Sequence, residues 1–258
     1  MNTLSLCNVG VAYGCKEVLR GIDCTLKAGE LVSIIGQNGC GKTTLLKAVA
    51  GILPYTGAIG TDDENAGLSP EIVSYVPQLS SVTSSLTVFE MVLLGLVRTL
   101  PWHIDAETFE RVDGTLHRMH IDTLADVPVR KLSGGQKQLV FMAQAFVREP
   151  KVLLLDEPTS ALDLRHQLIV MNAARRYTDA AHAITLVVVH DLLTAARFSD
   201  RILLLDEGRV RAFDKPETVL DPDVLKSVYR VDVSVESTRP GFLNVIPLKA
   251  LGRTHAQF

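Results

Sequence analysis

The sequence predicts an α/β fold built on a parallel sheet that is covered on both faces. Two observations carry this reading. Short, nearly continuous apolar runs recur at Leu31–Ile35, Lys151–Leu155, Ile184–Val189 and Ile202–Leu205, and helical patterns separate them. Strands buried on both faces read this way, because neither face has to meet water. A helical block from about Thr87 to Val147 interrupts the series and reads as an inserted subdomain. The chain has 258 residues, enough for one large domain or two small ones with a substantial core.

Near the N-terminus, Leu4-Ser5-Leu6 and Ile22-Asp23-Cys24-Thr25-Leu26 alternate apolar with polar, the signature of half-buried strands. Met1–Leu6 has neither the basic start nor the apolar run of a secretory signal, and no stretch nears the ~18 apolar residues of a membrane span, so a cytosolic chain is expected. The formal net charge of −3 argues against a general nucleic-acid binder. The four cysteines, Cys7, Cys15, Cys24 and Cys40, form no C-x-x-C pair and have no histidine cluster nearby, so reduced thiols are expected rather than a zinc site.

Gly36-Gln37-Asn38-Gly39-Cys40-Gly41-Lys42-Thr43 fits G-x-x-x-x-G-K-[ST], follows the Leu31–Ile35 strand and opens a helix from Thr43 to Ala50, which Gly51 closes. The glycines let backbone N–H groups turn toward phosphate oxygens, and the helix start adds partial positive charge. Lys42 supplies a full charge to the outer phosphates, and the Thr43 hydroxyl suits a magnesium ion. This pattern alone leaves kinase, GTPase and ATPase open.

In the helical block, Thr87-Val88-Phe89-Glu90 has the form of a capping box with an apolar helix to Val97 behind it. Asp105 can cap a second helix to about Met119, and a third runs from Gly135 to Arg148, where Pro150 stops it. Leu132-Ser133-Gly134-Gly135-Gln136 is a second glycine-rich helix start: Ser133 can cap it, and bare N–H groups there can bind an anion. Val152–Leu155 is a buried strand ending in Asp156-Glu157, where open α/β sheets bind ligands. Asp156 suits a magnesium shell and Glu157 can polarise an attacking water. The tail, with Val231–Val235 and Phe242–Ile246 flanking Arg239-Pro240-Gly241, reads as a β-hairpin.

Taken in order, the loop at Gly36–Thr44, Gln78, Leu132–Gln136, Leu153–Glu157, Ser160–Asp163 and His190 resemble the nucleotide-binding subunits of ABC transporters, over at least Leu4 to Tyr229. The resemblance implies one domain over 1–258: a P-loop NTPase (RecA-like) mixed-sheet core at 1–79 and 150–230 with an N-terminal antiparallel β subdomain, an inserted α-helical subdomain at 80–149, and a C-terminal hairpin and tail at 231–258. It implies that Tyr13 stacks on adenine and that Gly36, Asn38, Gly39, Cys40, Gly41, Lys42, Thr43 and Thr44 hold the phosphates. Gln78 is then a contact to Mg²⁺ and the attacking water, Asp156 a metal ligand beside Thr43, Glu157 the general base and His190 a switch near the γ-phosphate. Ser133, Gly134, Gly135, Gln136 and Asp163 serve the site of a second copy, so ATP sits at a homodimer interface.

The same resemblance implies an integral membrane permease as partner, a substrate-binding protein acting indirectly, no nucleic acid, and a peripheral position on the cytoplasmic side of the membrane. Asp163-Leu164-Arg165-His166-Gln167, Val170-Met171 and Leu93-Leu94-Gly95 with Arg98 and Pro101 are similar to the importer ATPases for iron–siderophore, haem and cobalamin. Gly57–Ser69, with Asp62-Asp63-Glu64, looks shorter and more irregular than the family's β-arm, and Leu96-Val97-Arg98 departs from its Gly-Arg pattern. Three rivals are an ABC ATPase outside transport, a small-molecule P-loop kinase and an exporter ATPase. The first usually needs two cassettes or a coiled-coil insert, and the second needs no signature; the exporter reading stays open.

Overall fold

The computed structural model describes residues 1–62, 68–78, 84–97, 105–238 and 241–252. Asp63, Glu64, Arg98, Pro101, Arg239 and Pro240 lie outside the described residues.

The described residues form a six-stranded mixed sheet in the order β5 (Val73–Val76), β6 (Val152–Asp156), β7 (Ile184–Val188), β3 (Leu31–Gly36), β8 (Arg201–Asp206), β9 (Arg209–Asp214). The first five are mutually parallel and β9 returns antiparallel along β8. β2 (Lys16–Lys27), β1 (Thr3–Tyr13) and β4 (Thr56–Thr61) form a separate three-stranded antiparallel sheet. The expected strands at Leu4–Leu6 and Ile22–Leu26 fall at the start of β1 and in the second half of β2. At the start of the Gly57–Ser69 segment, Thr56–Thr61 is a regular strand paired along β1 from Gly10 to Leu4, while 63–67 lie outside the described residues.

The apolar runs are continuous because successive residues feed two different cores. Leu31 and Ile35 of β3, Leu153 and Leu155 of β6, and Ile202 and Leu204 of β8 join one cluster. Val32 and Ile34, Val152 and Leu154, and Leu203 and Leu205 join the other. The first core is closed by α2 (Val88–Leu93), α3 (Ala106–Arg118), α4 (Gly134–Phe146) and α5 (Leu164–Ala181). The second is closed by α1 (Lys42–Val49) and the antiparallel sheet, through Leu45, Leu46, Leu4, Leu19 and Ile22. At about 25 cal/mol per Å² of apolar area, this two-faced burial supplies most of the drive to fold.

Helix boundaries follow local chemistry. Thr87 Oγ1 accepts from the Glu90 amide at 3.2 Å and Glu90 Oε2 accepts from the Thr87 amide at 2.8 Å, so the expected capping box starts α2. That helix stops at Leu93, earlier than expected, and tightens into a 3₁₀ turn over Leu94–Leu96. Asp105 caps α3 through the Thr108 amide, as its sequence predicts. After β7 come α6 (Leu192–Phe198), and after β9 α7 (Pro216–Val219) and α8 (Pro222–Tyr229). The chain continues into the hairpin β10 (Val231–Ser237) and β11 (Leu243–Ala250).

Candidate active site

Parallel strands place their C-terminal ends along one sheet edge, and four neighbours deliver the site from there. The phosphate loop follows β3, Gln78 follows β5, Asp156 and Glu157 end β6, and His190 follows β7. Chain segments more than a hundred residues apart thereby meet within the spacing of adjacent strands.

The loop geometry depends on glycine. Gly36 sits at φ 145, and a β-carbon there would lie 2.2 Å from the Leu205 carbonyl oxygen and 2.8 Å from Cys40 Sγ. Gly41 is the N-cap of α1, makes no side-chain cap and is followed by no acidic residue in the first turn. The first amides of the helix are therefore left for an anion. Lys42 is 6% exposed, with Nζ donating to the carbonyl oxygens of Gly36 at 2.8 Å and Gln37 at 3.0 Å. It is held against the loop's own carbonyls and lines the cleft that the loop borders.

Thr43 Oγ1 donates to Asp156 Oδ1 at 2.9 Å, and the Tyr75 hydroxyl donates to Asp156 Oδ2, also at 2.9 Å. Asp156 is buried, so these contacts fix its orientation. Burial and the adjacent Asp156 charge push the Tyr75 hydroxyl well above the usual tyrosine range, which keeps it a donor. One residue on, Glu157 Oε1 lies 2.6 Å from His190 Nε2 and Oε2 accepts from Gln78 Nε2 at 2.7 Å. Ser160 Oγ is a second, longer contact of Gln78 at 3.4 Å.

These groups enclose a cleft of about 400 Å³ lined by Val18, Asn38, Gly39, Gly41, Lys42, Thr43, Thr44, Gln78, Glu157 and His190. Of the residues singled out in the sequence, Cys40 is buried beneath the loop rather than facing the cleft. Burial raises its thiol pKa, with the Lys42 charge opposing. Tyr13 is half exposed at the end of β1, away from the lining.

The second glycine-rich helix start does not reach this cleft in the same chain. Ser133 and Gln136 form a reciprocal capping box on α4, with contacts of 3.3 and 3.0 Å. The close neighbour of Gly135 is His166, whose Cδ2 would stand 2.2 Å from a β-carbon at that position. His166 Nδ1 in turn lies 2.8 Å from Asp163 Oδ2, and Asp163 caps α5 through the His166 amide at 2.9 Å. That amide, and then the imidazole, hold the Asp163 carboxyl below the ordinary aspartate range.

Sequence reasoning did not find Val18, which reaches the cleft from β2, or the role of Tyr75 as a support for Asp156. It also missed α8, whose Val228 carbonyl accepts from Gln37 Nε2 in the phosphate loop. Tyr229 beside it is pushed upward in pKa by burial, with the Gly36 amide opposing. None of the three is signalled by a local motif. A β-sheet register is needed to see the first two.

A family profile described as ABC transporter matches residues 19–160, just over half of the chain. An uncharacterised ABC transporter ATP-binding protein of Methanocaldococcus jannaschii is 38% identical over 252 residues, covering 95% of this chain and 98% of that protein. A hemin import ATP-binding protein of Pseudomonas fluorescens is 36% identical over 240 residues, covering 89% and 93%. Among solved structures, a metal-chelate type ABC transporter in an inward-facing conformation superposes with a TM-score of 0.84 at 27% identity, covering 96% of this chain and 98% of that one. With the phosphate loop, the acidic strand end and the Ser133–Gln136 helix start in one ordered fold, the chain belongs to the ATP-binding, ATP-hydrolysing proteins of the ABC transporter family.

Proposed function

We propose that this chain powers an importer of an iron chelate, haem or cobalamin, working as a homodimer from the cytoplasmic face of a membrane. The observation that carries the catalytic part is the Glu157 carboxylate, held between Gln78 and His190 at the mouth of the cleft that contains Lys42 and Thr43. In this reading the loop amides and Lys42 bind and orient the triphosphate, and Tyr13 covers the adenine. Glu157 takes a proton from the attacking water, while Gln78 and His190 hold its two oxygens in place. Glu157→Gln is the direct test: nucleotide binding is retained and turnover is lost.

The donor set beside the loop fits Mg²⁺. A hydroxyl on Thr43, a carboxylate on Asp156 and an amide oxygen on Gln78 are hard oxygen ligands, and the first two already lie 2.9 Å apart. When bound, the ion neutralises charge on the outer phosphates. The chain's own part is to orient Asp156 through Thr43 and Tyr75.

Support for two copies comes from the separation within one chain: Ser133–Gln136 and Asp163 lie outside the cleft lined by the phosphate loop. In the homodimer the helix start of one copy supplies bare amides to the triphosphate held by the other. ATP closes the pair and product charge reopens it, a ligand-driven shift between two states.

A permease is the partner that fits the groove of about 240 Å³ between the Tyr75–Pro77 segment, Leu94, Val97 and Phe141. Leu94 and Val97 are exposed apolar side chains, and Pro77 leads directly into Gln78, so a partner seated there acts on Glu157 through one residue. No helix among the described residues is long and apolar enough to cross a membrane, so a separate chain would provide the pore. The hemin-import relative and the metal-chelate transporter support the cargo class, together with Asp163–Gln167 and Val170-Met171. Growth of a deletion strain on single iron sources tests the cargo: failure on one chelate or on haem is expected. Unimpaired uptake of iron chelates, haem and cobalamin alike overturns it.

A further inference from the structure

A cavity of about 590 Å³ opens where the ends of α3, α4 and α5 meet, and shares no residue with the nucleotide cleft or the Leu94–Phe141 groove. Its volume is in the range of sites that hold small organic molecules. Its floor is apolar. Phe146 and Tyr177 stack there with ring centroids 4.3 Å apart and planes 17° apart, and Met119 is buried beside them. The Tyr177 hydroxyl is already satisfied by the Pro150 carbonyl at 2.9 Å, so this residue offers the cavity ring surface rather than a polar atom.

The rim has the opposite character. Arg118, Lys151 and Arg176 all line the mouth and are exposed. Arg118 donates to the neutral Thr115 hydroxyl at 2.8 Å. None of the three lies within ion-pair distance of a described carboxylate. Glu149, the acid of the lining, is turned toward Arg111 at 3.8 Å. Three uncompensated cations over a stacked aromatic floor complement a flat apolar body carrying an anionic group. The body gains from leaving water, and the guanidinium groups grip a carboxylate or sulfonate in a planar fork.

We infer that this cavity is a second small-molecule site, for planar aromatic anions, separate from the nucleotide site. It touches α4 and α5 away from the ends that begin at Ser133 and Asp163. Anilinonaphthalene sulfonate, a flat sulfonate whose fluorescence rises in apolar surroundings, is the probe. The full chain is titrated in saturating magnesium and ATP, so that the nucleotide cleft is occupied. Saturable binding of one probe per chain is expected. The charge-reversed double variant Lys151→Glu, Arg176→Glu should weaken it by about tenfold or more with an unchanged melting temperature. Ala180→Trp, which fills the cavity from its wall, should abolish it. Uncharged phenylnaphthylamine should bind at least about tenfold more weakly than the sulfonate. Absence of saturable binding, equal binding of the neutral probe, or unchanged affinity in both variants overturns the proposal. Because ATP turnover is not the readout, this result is independent of the role given to Glu157.

Discussion

Glu157 Oε1 lies 2.6 Å from His190 Nε2 while its other oxygen accepts from Gln78, so one carboxylate ties together the ends of β5, β6 and β7. The residue does this from a left-handed backbone, φ 50, which costs a non-glycine residue about 1 kcal/mol or more. The side chain thereby lines the cleft immediately after a strand whose last residue, Asp156, is the proposed metal ligand.

Replacing Glu157 by Gln keeps the shape and removes the proposed base. The amide can still meet Gln78 and His190, so ATP affinity should stay within a few-fold. Turnover should fall by about 10²- to 10⁴-fold, the usual worth of a positioned general base. Phosphate release under single-turnover conditions, beside fluorescent-nucleotide titration, separates the two effects. Near-normal hydrolysis removes Glu157 from its assigned role.

Tyr75→Phe deletes the hydroxyl that fixes Asp156 Oδ2, and Tyr75 is not itself part of the cleft lining. Losing such an outer support of a metal-binding carboxylate typically costs about 10- to 100-fold in metal affinity. The magnesium concentration for half-maximal ATPase activity should rise accordingly, with little change in rate at saturating magnesium. An unaltered magnesium dependence would mean that Thr43 alone orients Asp156.

Gly135→Ala should destabilise the fold by overpacking, because its β-carbon would meet His166 Cδ2 at 2.2 Å. Overpacking costs about 1–3 kcal/mol, which for a chain of this size lowers the melting temperature by several degrees, about 2–4 °C per kcal/mol. In a background of His166→Ala the same substitution should cost less, since only the β-carbon of residue 166, at 3.0 Å, remains in the way, and the double-mutant cycle reports the coupling. Equal penalties in both backgrounds would show that the imbalance lies elsewhere along α4.

The thiols should divide into two classes. Cys7 and Cys15 are exposed and should react rapidly with Ellman's reagent at neutral pH, whereas Cys40 is buried and Cys24 is partly buried with its pKa pushed up to about 12, mainly by burial. Two fast equivalents before unfolding and four after it are expected. Below about pH 8.5 the Cys24 thiol is neutral in both folded and unfolded chains, and its favourable contribution is complete. As pH rises from there toward 12 the unfolded chain ionises first, so stability declines. Denaturation midpoints measured between pH 8 and 11 should fall less steeply in Cys24→Ala.

Much of this site is legible from local sequence because its parts are local motifs. Gly36–Thr43 and Ser133–Gln136 are each a helix start whose amide chemistry is written in consecutive residues, and Asp156-Glu157 announces itself by ending an apolar strand. The double burial behind the apolar runs was also readable, since β3, β6 and β8 lack the alternation of a one-faced strand. Other features depend on neighbours that only the sheet brings together. Val18 arrives from β2, Tyr75 from β5, and the close approach of Gly135 to His166 joins two helices through their packing. The edge strands β5 and β9 escaped because four to six residues with mixed polarity carry too weak a period. The early end of α2 is likewise set by packing, with Gly95 so close to α4 that a β-carbon would lie 2.3 Å from the Gln144 carbonyl oxygen.

In the proposed homodimer a triphosphate is gripped by the Lys42 loop of one copy and the Ser133 helix start of another. Light scattering of the Glu157→Gln protein after gel filtration in magnesium and ATP addresses it directly. A mass of about twice the 28.1 kDa of the chain is expected with ATP, returning to the single-chain value without nucleotide and in a Ser133→Arg variant that blocks the helix start. A protein that binds ATP with magnesium yet remains at 28.1 kDa would contradict the account.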